Sequence, residues 1–310
     1  METAVVMDVR MSLAILLAAL GVVTVACRHT EPEPAHPEPP NLRQQRPEPE
    51  LPLPPPRSGT FRALTYNIHG LPSRVARTSI LRNVPLISPK LNAYDLALIQ
   101  EDFVHHAELE KDANHPHRSR PMTHGKWRIL NDGLNRFSRF PFGRLLRVKW
   151  NACHGLLKSA SDCLARKGFS VATTTFAEGV KIDVYNLHAE AGGGEEDRDA
   201  RRIGITQLGR FITEYSRGRA VIVAGDFNLH AFSPRDEALF RELLAATGLT
   251  DVARFLQTGH ERIDRFLFRS GGGTRIVPES WEMDRTFIDD RGSRLSDHPA
   301  IAVTFRWTTE

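Results

Sequence analysis

The chain has 310 residues, 41% of them hydrophobic and 25% charged, which excludes a disordered polymer and allows one large core. Its 41 basic and 37 acidic side chains give a formal net charge of +4, and the sequence pI is near 9.1. That balance favours anionic partners such as phosphate esters, nucleic acid or lipid headgroups, but it excludes a polybasic arm.

Residues 1–26 read as a signal peptide. Arg10 precedes an apolar run from Met11 to Ala26, long enough for an export segment and short for a membrane span. The run ends Thr24-Val25-Ala26-Cys27, which resembles the lipobox of bacterial lipoproteins, with Thr24 where Leu is usual. The resemblance implies acylation of Cys27 and a lipid anchor on a membrane of the bacterial cell envelope; an ordinary cleaved signal and a secreted product are the alternative. Residues 27–59 form a Pro/Glu-rich tether, because eleven of the chain's twenty prolines fall between Glu31 and Arg57, with almost nothing apolar to bury. At about 3.1 Å per residue such a segment holds a domain some tens of ångströms from its anchor.

Residues 60–310 read as one catalytic domain. Strands are predicted at Phe61–Ile68, Asp95–Ile99, Ser170–Phe176, Lys181–Leu187, Ala220–Ala224, Arg262–Phe268 and Pro299–Phe305, from β-branched and aromatic runs. Helices are predicted at Asp199–Ser216, before Gly218, and at Pro234–Thr247, before Gly248. Helices lying between strand pairs indicate an α/β (α+β) fold: a four-layer α/β/β/α sandwich with two packed mixed β-sheets.

Polar residues ride on the ends of these apolar runs in a fixed order: Asn67, Gln100-Glu101, Asn186-Leu187-His188, Gly225-Asp226-Phe227-Asn228 and Ser296-Asp297-His298. Strand ends bring distant positions to one point. Hydrolysis of a phosphodiester needs a cation for the phosphoryl oxygens, a base for water and donors for the developing charge. Asp, Asn, Glu and His supply all three, and a mostly oxygen donor set calls for a hard cation, Mg²⁺ before Zn²⁺, with Mn²⁺ or another divalent ion as substitute.

With Asp264 in Arg262-Ile263-Asp264-Arg265-Phe266, these segments resemble the ordered motif set of the endonuclease/exonuclease/phosphatase (DNase I-like) superfamily over about residues 61 to 307. The resemblance implies that Glu101 holds Mg²⁺ with support from Asn67, and that Asp297 completes the metal-side carboxylates. It implies that Asp226 positions the nucleophilic water or a second metal, and that Asn228 hydrogen-bonds the phosphate. His298, oriented by Asp264, becomes general base or phosphate-bound imidazolium, and His188 donates to a phosphoryl oxygen or assists the leaving group. Lys167-Gly168-Phe169 and His188-Ala189-Glu190-Ala191 are similar to elements of the secreted sphingomyelinases, with Glu190 where that branch has Gln. His69-Gly70 departs from the DNA-repair branch, which has Asp before the Gly.

Cys153 and Cys163 are left as an even pair in an exported chain, and a disulfide between them is expected. Asp95, Asp102 and the run Glu195-Glu196-Asp197 are expected to be solvated or capping. His105, His106, His115, His117 and His124 are expected on a surface loop.

The favoured function is therefore a Mg²⁺-dependent phosphodiesterase, sphingomyelinase-like, with Trp150, Phe140 and Phe142 as candidates to face lipid. A secreted DNase I-like endonuclease, with a groove of Arg136, Arg139, Arg144, Arg147 and Lys149, is the alternative. A non-catalytic binding protein on a decayed hydrolase fold is a third. A phosphodiester substrate, a membrane reached through the lipid anchor and no obligate protein partner are expected, for a monomer.

Overall fold

In a computed structural model the described residues are 56–70, 80–122, 131–155, 163 and 165–309. The expected signal peptide, Cys27, most of the tether and His124 lie outside them.

Among the described residues twelve strands and five α-helices follow in chain order. They are β1 (Ser58–Asn67), α1 (Ile80–Ile87), β2 (Leu96–Gln100), α2 (His106–Glu110), β3 (His117–Arg118), β4 (Asn135–Ser138), β5 (Leu146–Lys149), β6 (Gly168–Ala177), β7 (Val180–His188), α3 (Glu195–Tyr215), β8 (Ala220–Asp226), α4 (Pro234–Thr247), β9 (Thr250–Asp251), α5 (Val252–Phe255), β10 (Asp264–Arg269), β11 (Thr274–Asp284) and β12 (Ala300–Thr309). Two six-stranded mixed sheets result, ordered β11-β12-β1-β2-β4-β3 and β5-β6-β7-β8-β10-β9. The parallel pairs β1–β2 and β7–β8 sit at their centres.

Alternation along the strands divides the core into layers. Phe61, Ala63, Leu98, Val303 and Phe305 of one sheet meet Ile182, Val184, Ile222, Ala224 and Phe266 of the other. The opposite face of the first sheet, with Leu64, Tyr66 and Ile99, packs under α1 through Ile80, Val84 and Ile87. The opposite face of the second, with Tyr185, Val221 and Val223, packs under α3 and α4 through Ile205, Leu208, Ile212, Phe240 and Leu243. This is the four-layer sandwich expected from the sequence. Among the described residues no helix is long and apolar enough to cross a membrane.

Local signals set the helix limits. Ser233 caps α4 by accepting from the Asp236 amide, Pro234 opens it, and Gly248 closes it at φ 67°. Helix α3 begins at Glu195, four residues before the predicted start, because Asp197 accepts from the Gly194 amide and the three acids favour the positive end of the helix dipole. Strand β1 starts at Ser58, two residues ahead of the boundary drawn at 60, since Ser58 and Gly59 pair with Thr308 and Trp307. Strand β11 has no counterpart in the sequence reading: Pro278 interrupts its pattern, tolerated because the strand is at an edge and bulges between Pro278 and Ser280.

Candidate active site

The polar groups gather where β1, β2, β7 and β8 exit their sheets. Asn67 ends β1 fully buried, and its Nδ2 donates to Glu101 Oε1 at 3.1 Å and to Asp226 Oδ2 at 3.2 Å, tying one sheet to the other. His188 Nε2 lies 3.5 Å from Asp226 Oδ2 and 3.8 Å from Glu101 Oε1. His298 places Nε2 3.8 Å from Asp226 Oδ2 while its Nδ1 meets both Asp264 oxygens at 2.9 and 3.1 Å. Asn67, Glu101, His188, Asp226, Asp264 and His298 thus form one connected constellation.

Sharp backbone turns aim these side chains. Glu101 and Asn228 adopt φ of 58° and 50°, the left-handed region that costs a side-chain-bearing residue energy. The Glu101 turn is fastened on both sides: the Asp102 amide donates to Gly133 O, and a Cβ on Gly70 would stand 1.9 Å from Glu101 O. Gly225 permits the same economy of space on β8, where a Cβ would meet Leu187 O at 2.0 Å. Asn228 is held by Asp226 Oδ1, which accepts its amide, and by donation of its own Nδ2 to Ala189 O. Its side chain is therefore engaged with backbone beside His188.

Asp297 sits apart from this group. Its side chain is 51% exposed and pairs with His69 Nδ1 at 3.0 Å. Burial raises its carboxyl, but the His69 hydrogen bond and charge outweigh that and bring it down to about 2; the same bond raises the His69 imidazole. Three candidate ligands for a metal, Asp226, Asp264 and His298, offer donor atoms all within 4.8 Å of one another. That grouping differs from the set of Asn67, Glu101 and Asp297 read from sequence.

Electrostatics separate the two histidines. Burial drives His188 well below its ordinary pKa, with the charges of Lys167 and His298 acting in the same sense, so it is neutral. Burial also opposes charge on His298, but the hydrogen bond and charge of Asp264, with Asp226 and Asp297 behind them, prevail and raise it. Burial pushes the Glu101 carboxyl up, against Lys167 and Asn67, and Glu101 Oε2 is buried with no hydrogen-bond partner among the described residues. An orphaned carboxylate oxygen next to an amide and a second carboxylate fits a hard divalent cation.

Several neighbours were not legible as functional. Gln100 Nε2 donates to Asn186 Oδ1 at 2.7 Å and to Thr65 Oγ1 at 3.0 Å, and Asn186 Nδ2 donates to Ile99 O and Asn135 O. This amide ladder locks the sheets together behind the site. The available signal was an amide inside each apolar strand next to a site residue. Ser296 Oγ donates to Asn67 O at 2.6 Å and anchors the segment carrying His298.

Other expectations are corrected. Asp102 is fully buried, accepting from Asn135 Nδ2 and contacting His106 Nδ1, rather than solvated. His106 stacks on Phe137, and His115 is buried against Tyr94 O, so these two are structural rather than loop-surface residues. Trp150 is buried and donates to His188 O at 2.8 Å, and Phe140 packs on Phe61 and Phe176; neither faces lipid. Asp95 accepts the Arg62 amide of β1 at 2.8 Å and pairs with Arg139 at 3.4 Å. Cys153 and Cys163 form the expected disulfide.

The architecture is the DNase I-like fold, two packed mixed sheets flanked by helices. Solved structures of the same fold include beta toxin from Staphylococcus aureus, with TM-score 0.62 and 16% identity, covering 78% of this chain and 99% of that one. TDP2 of D. rerio, humanized by 14 mutations, gives 0.60 and 18% over 79% and 98%, and sphingomyelinase C from Streptomyces griseocarneus 0.56 and 17% over 79% and 99%. A beta toxin variant with this fold was solved with bound magnesium ions. In sequence the chain is similar to the sphingomyelinases of Mycobacterium bovis and Mycobacterium tuberculosis, 33% identical over an alignment of 277 positions that covers 82% of this chain and 54% of the relative. The chain thus spans about half the length of those curated relatives. No protein-family model matches it.

Proposed function

We propose that the chain is a Mg²⁺-dependent phosphodiesterase that cleaves the headgroup of a sphingomyelin-type phospholipid by in-line attack of water. The observation that carries this reading is the juxtaposition of a buried, unpartnered Glu101 oxygen with Asn67, Asp226, His188 and the Asp264-held His298. The likeness to mycobacterial sphingomyelinases supplies the substrate class.

Glu101 and Asn67 would hold the ion, with Asp226 as the neighbouring carboxylate, while Asp297 is turned to His69. When bound, the ion would neutralise charge on the phosphoryl oxygens. Asp226 Oδ2, facing both histidines, orients the attacking water and accepts its proton's hydrogen bond. Neutral His188 presents Nε2–H to a phosphoryl oxygen without adding charge. Asp264 fixes the proton on His298 Nδ1, so that Nε2 points at the reacting phosphate as donor. Asn228, steadied by Asp226 and Ala189, lines the phosphate.

Part of the groove in the nuclease reading is engaged elsewhere, while Arg144 and Lys149 stay exposed. Arg136 is buried, which brings its guanidinium down to about 9; Arg147 pairs with Asp132 at 2.6 Å and Arg139 with Asp95 at 3.4 Å. The lipid reading gains Phe232, 96% exposed four residues beyond Asn228. Export, a lipid anchor at Cys27 and a monomeric state belong to the same proposal. The test is hydrolysis of sphingomyelin vesicles, plasmid DNA and bis(p-nitrophenyl) phosphate by the full chain, with Mg²⁺ and with chelator. Chelator-sensitive turnover of sphingomyelin supports it; turnover of none, or indifference to chelation, refutes it.

A further inference from the structure

Beside His298, the segments leading into β10 and joining β11 to β12 enclose a cavity of about 380 Å³. Its floor is apolar, with Tyr66, Phe287 and Pro299, and its rim carries three exposed guanidinium groups, Arg262, Arg285 and Arg294. Asp284, the one carboxylate in the lining, is turned to other work: the Tyr94 hydroxyl donates to it and Arg62 stands 3.5 Å away. Among the described residues none of the three arginines has an ion-pair partner, whereas Arg136, Arg139 and Arg147 of the β4–β5 region are each engaged.

Three like charges converging on one concavity repel each other, and a cleft lined by one sign raises the local concentration of its counter-ion. Guanidinium groups match the oxygens of a phosphate in paired hydrogen bonds. The volume suits a small-molecule substituent, and the apolar floor suits the carbon face of a ring. A quaternary ammonium headgroup gains nothing from such a rim.

We propose that this cavity is a subsite for a second anionic group, a phosphate monoester carried by the substrate next to the scissile diester. The centre then acts on phosphorylated polyol headgroups as well as on sphingomyelin. The proposal rests on the phosphodiesterase reading above and deepens it.

The test compares matched diesters that differ only in one phosphate. Glycerophosphoinositol 4-phosphate and glycerophosphoinositol form the soluble pair. Phosphatidylinositol 4-phosphate and phosphatidylinositol in phosphatidylcholine vesicles form the lipid pair. The full chain should favour the phosphorylated member by about tenfold in kcat/KM in both pairs, the equivalent of one good charge-assisted contact. The triple variant Arg262→Gln/Arg285→Gln/Arg294→Gln should bring the ratio to within about twofold, with the rate on the unphosphorylated member unchanged, and Arg285→Gln alone should lower it part of the way.

A wild-type ratio near one, or a ratio untouched by both variants, overturns the subsite. A preference confined to vesicles overturns it also, by assigning the arginines to attraction of the lipid surface. Should no diester turn over, bis(p-nitrophenyl) phosphate included, the phosphodiesterase reading fails instead. Calorimetric titration of inositol 1,4-bisphosphate in chelator then decides the subsite alone: binding lost in the triple variant sustains it, and equal or absent binding in both proteins refutes it.

Discussion

Replacing Asp264 with Asn tests the division of labour at the centre. The substitution keeps volume and removes a charge whose two oxygens lie 2.9 and 3.1 Å from His298 Nδ1, with the aspartate side chain 1% exposed. A charge-assisted hydrogen bond exceeds a neutral one by about 1 to 2 kcal/mol, and the amide can also present its NH₂ and impose the wrong tautomer. Positioned acid–base groups contribute about 10²- to 10⁴-fold, so Asp264→Asn should lower kcat by about 10²-fold, or about 2.7 kcal/mol of transition-state stabilisation. KM should change little, since Asp264 does not reach the substrate. Burial pushes the Asp264 carboxyl up, so the folded protein holds that charge at a cost. The pair also holds the His298 charge, which opposes that cost, so the variant's thermal midpoint should stay near that of the wild type. Turnover of bis(p-nitrophenyl) phosphate and of sphingomyelin vesicles, with a parallel thermal melt, reads both quantities. A kcat within about threefold of wild type, or lost activity with a collapsed midpoint, would refute the reasoning.

Reduction of Cys153–Cys163, or Cys153→Ser with Cys163→Ser, opens a loop with a sequence separation of 10 and should cost about 2 to 3 kcal/mol by chain entropy, read as a lower denaturant midpoint at unchanged slope. Gly225→Ala puts a methyl 2.0 Å from Leu187 O at a φ of 144°; spreading β7 from β8 should cost about 1 to 3 kcal/mol or more in chemical denaturation and lower activity, and a wild-type melt would count against the packing. Burial lowers the His106 imidazole, but its Asp102 hydrogen bond and charge outweigh burial and raise it. A raised folded-state value means that this contribution is fully present below the ordinary pKa of 6.5 and fades as pH rises through the raised value. His106→Gln should remove that fall from the stability–pH profile, and an unaltered profile would show the pair contributes nothing.

The fold was legible where one physical signal dominated. Val221-Ile222-Val223-Ala224 could only be a buried strand, and Gly225 after it marked the close approach that the Leu187 carbonyl makes real. Asn67, Glu101, His188 and Asp226 were readable because each closes an apolar run, whereas Asp264 and His298 stand at strand entries and Asp264 was readable only through the family resemblance. Burial of single polar residues was not readable. Asp102 follows Glu101 and looks like a surface acid; its partners Asn135 and His106 come from β4 and α2, elements too short to announce themselves. Trp150 was a candidate to face lipid as a large apolar side chain, whereas it is buried with its indole N–H on the backbone of His188. Arg136 misled for the converse reason: its chain runs into the sheet interface to reach Val184 O, a destination no local pattern reveals.

Strand β1 is zipped between β2 and β12, with pairing that runs from Ser58↔Thr308 to Thr65↔Ile301. Asn67 leaves the first of these strands and His298 enters the last, so the two flanks of the centre come from segments far apart in the chain. Until β12 slots beside β1, a growing chain holds its carboxylates and amides without their histidine and without the sheet that aligns them. Closure of such a long-range pairing is intrinsically late in folding. The centre therefore closes only with the β1–β12 pairing: a chain in which that pairing has not formed is chemically silent, and disruption of β12 removes the fold and its chemistry together.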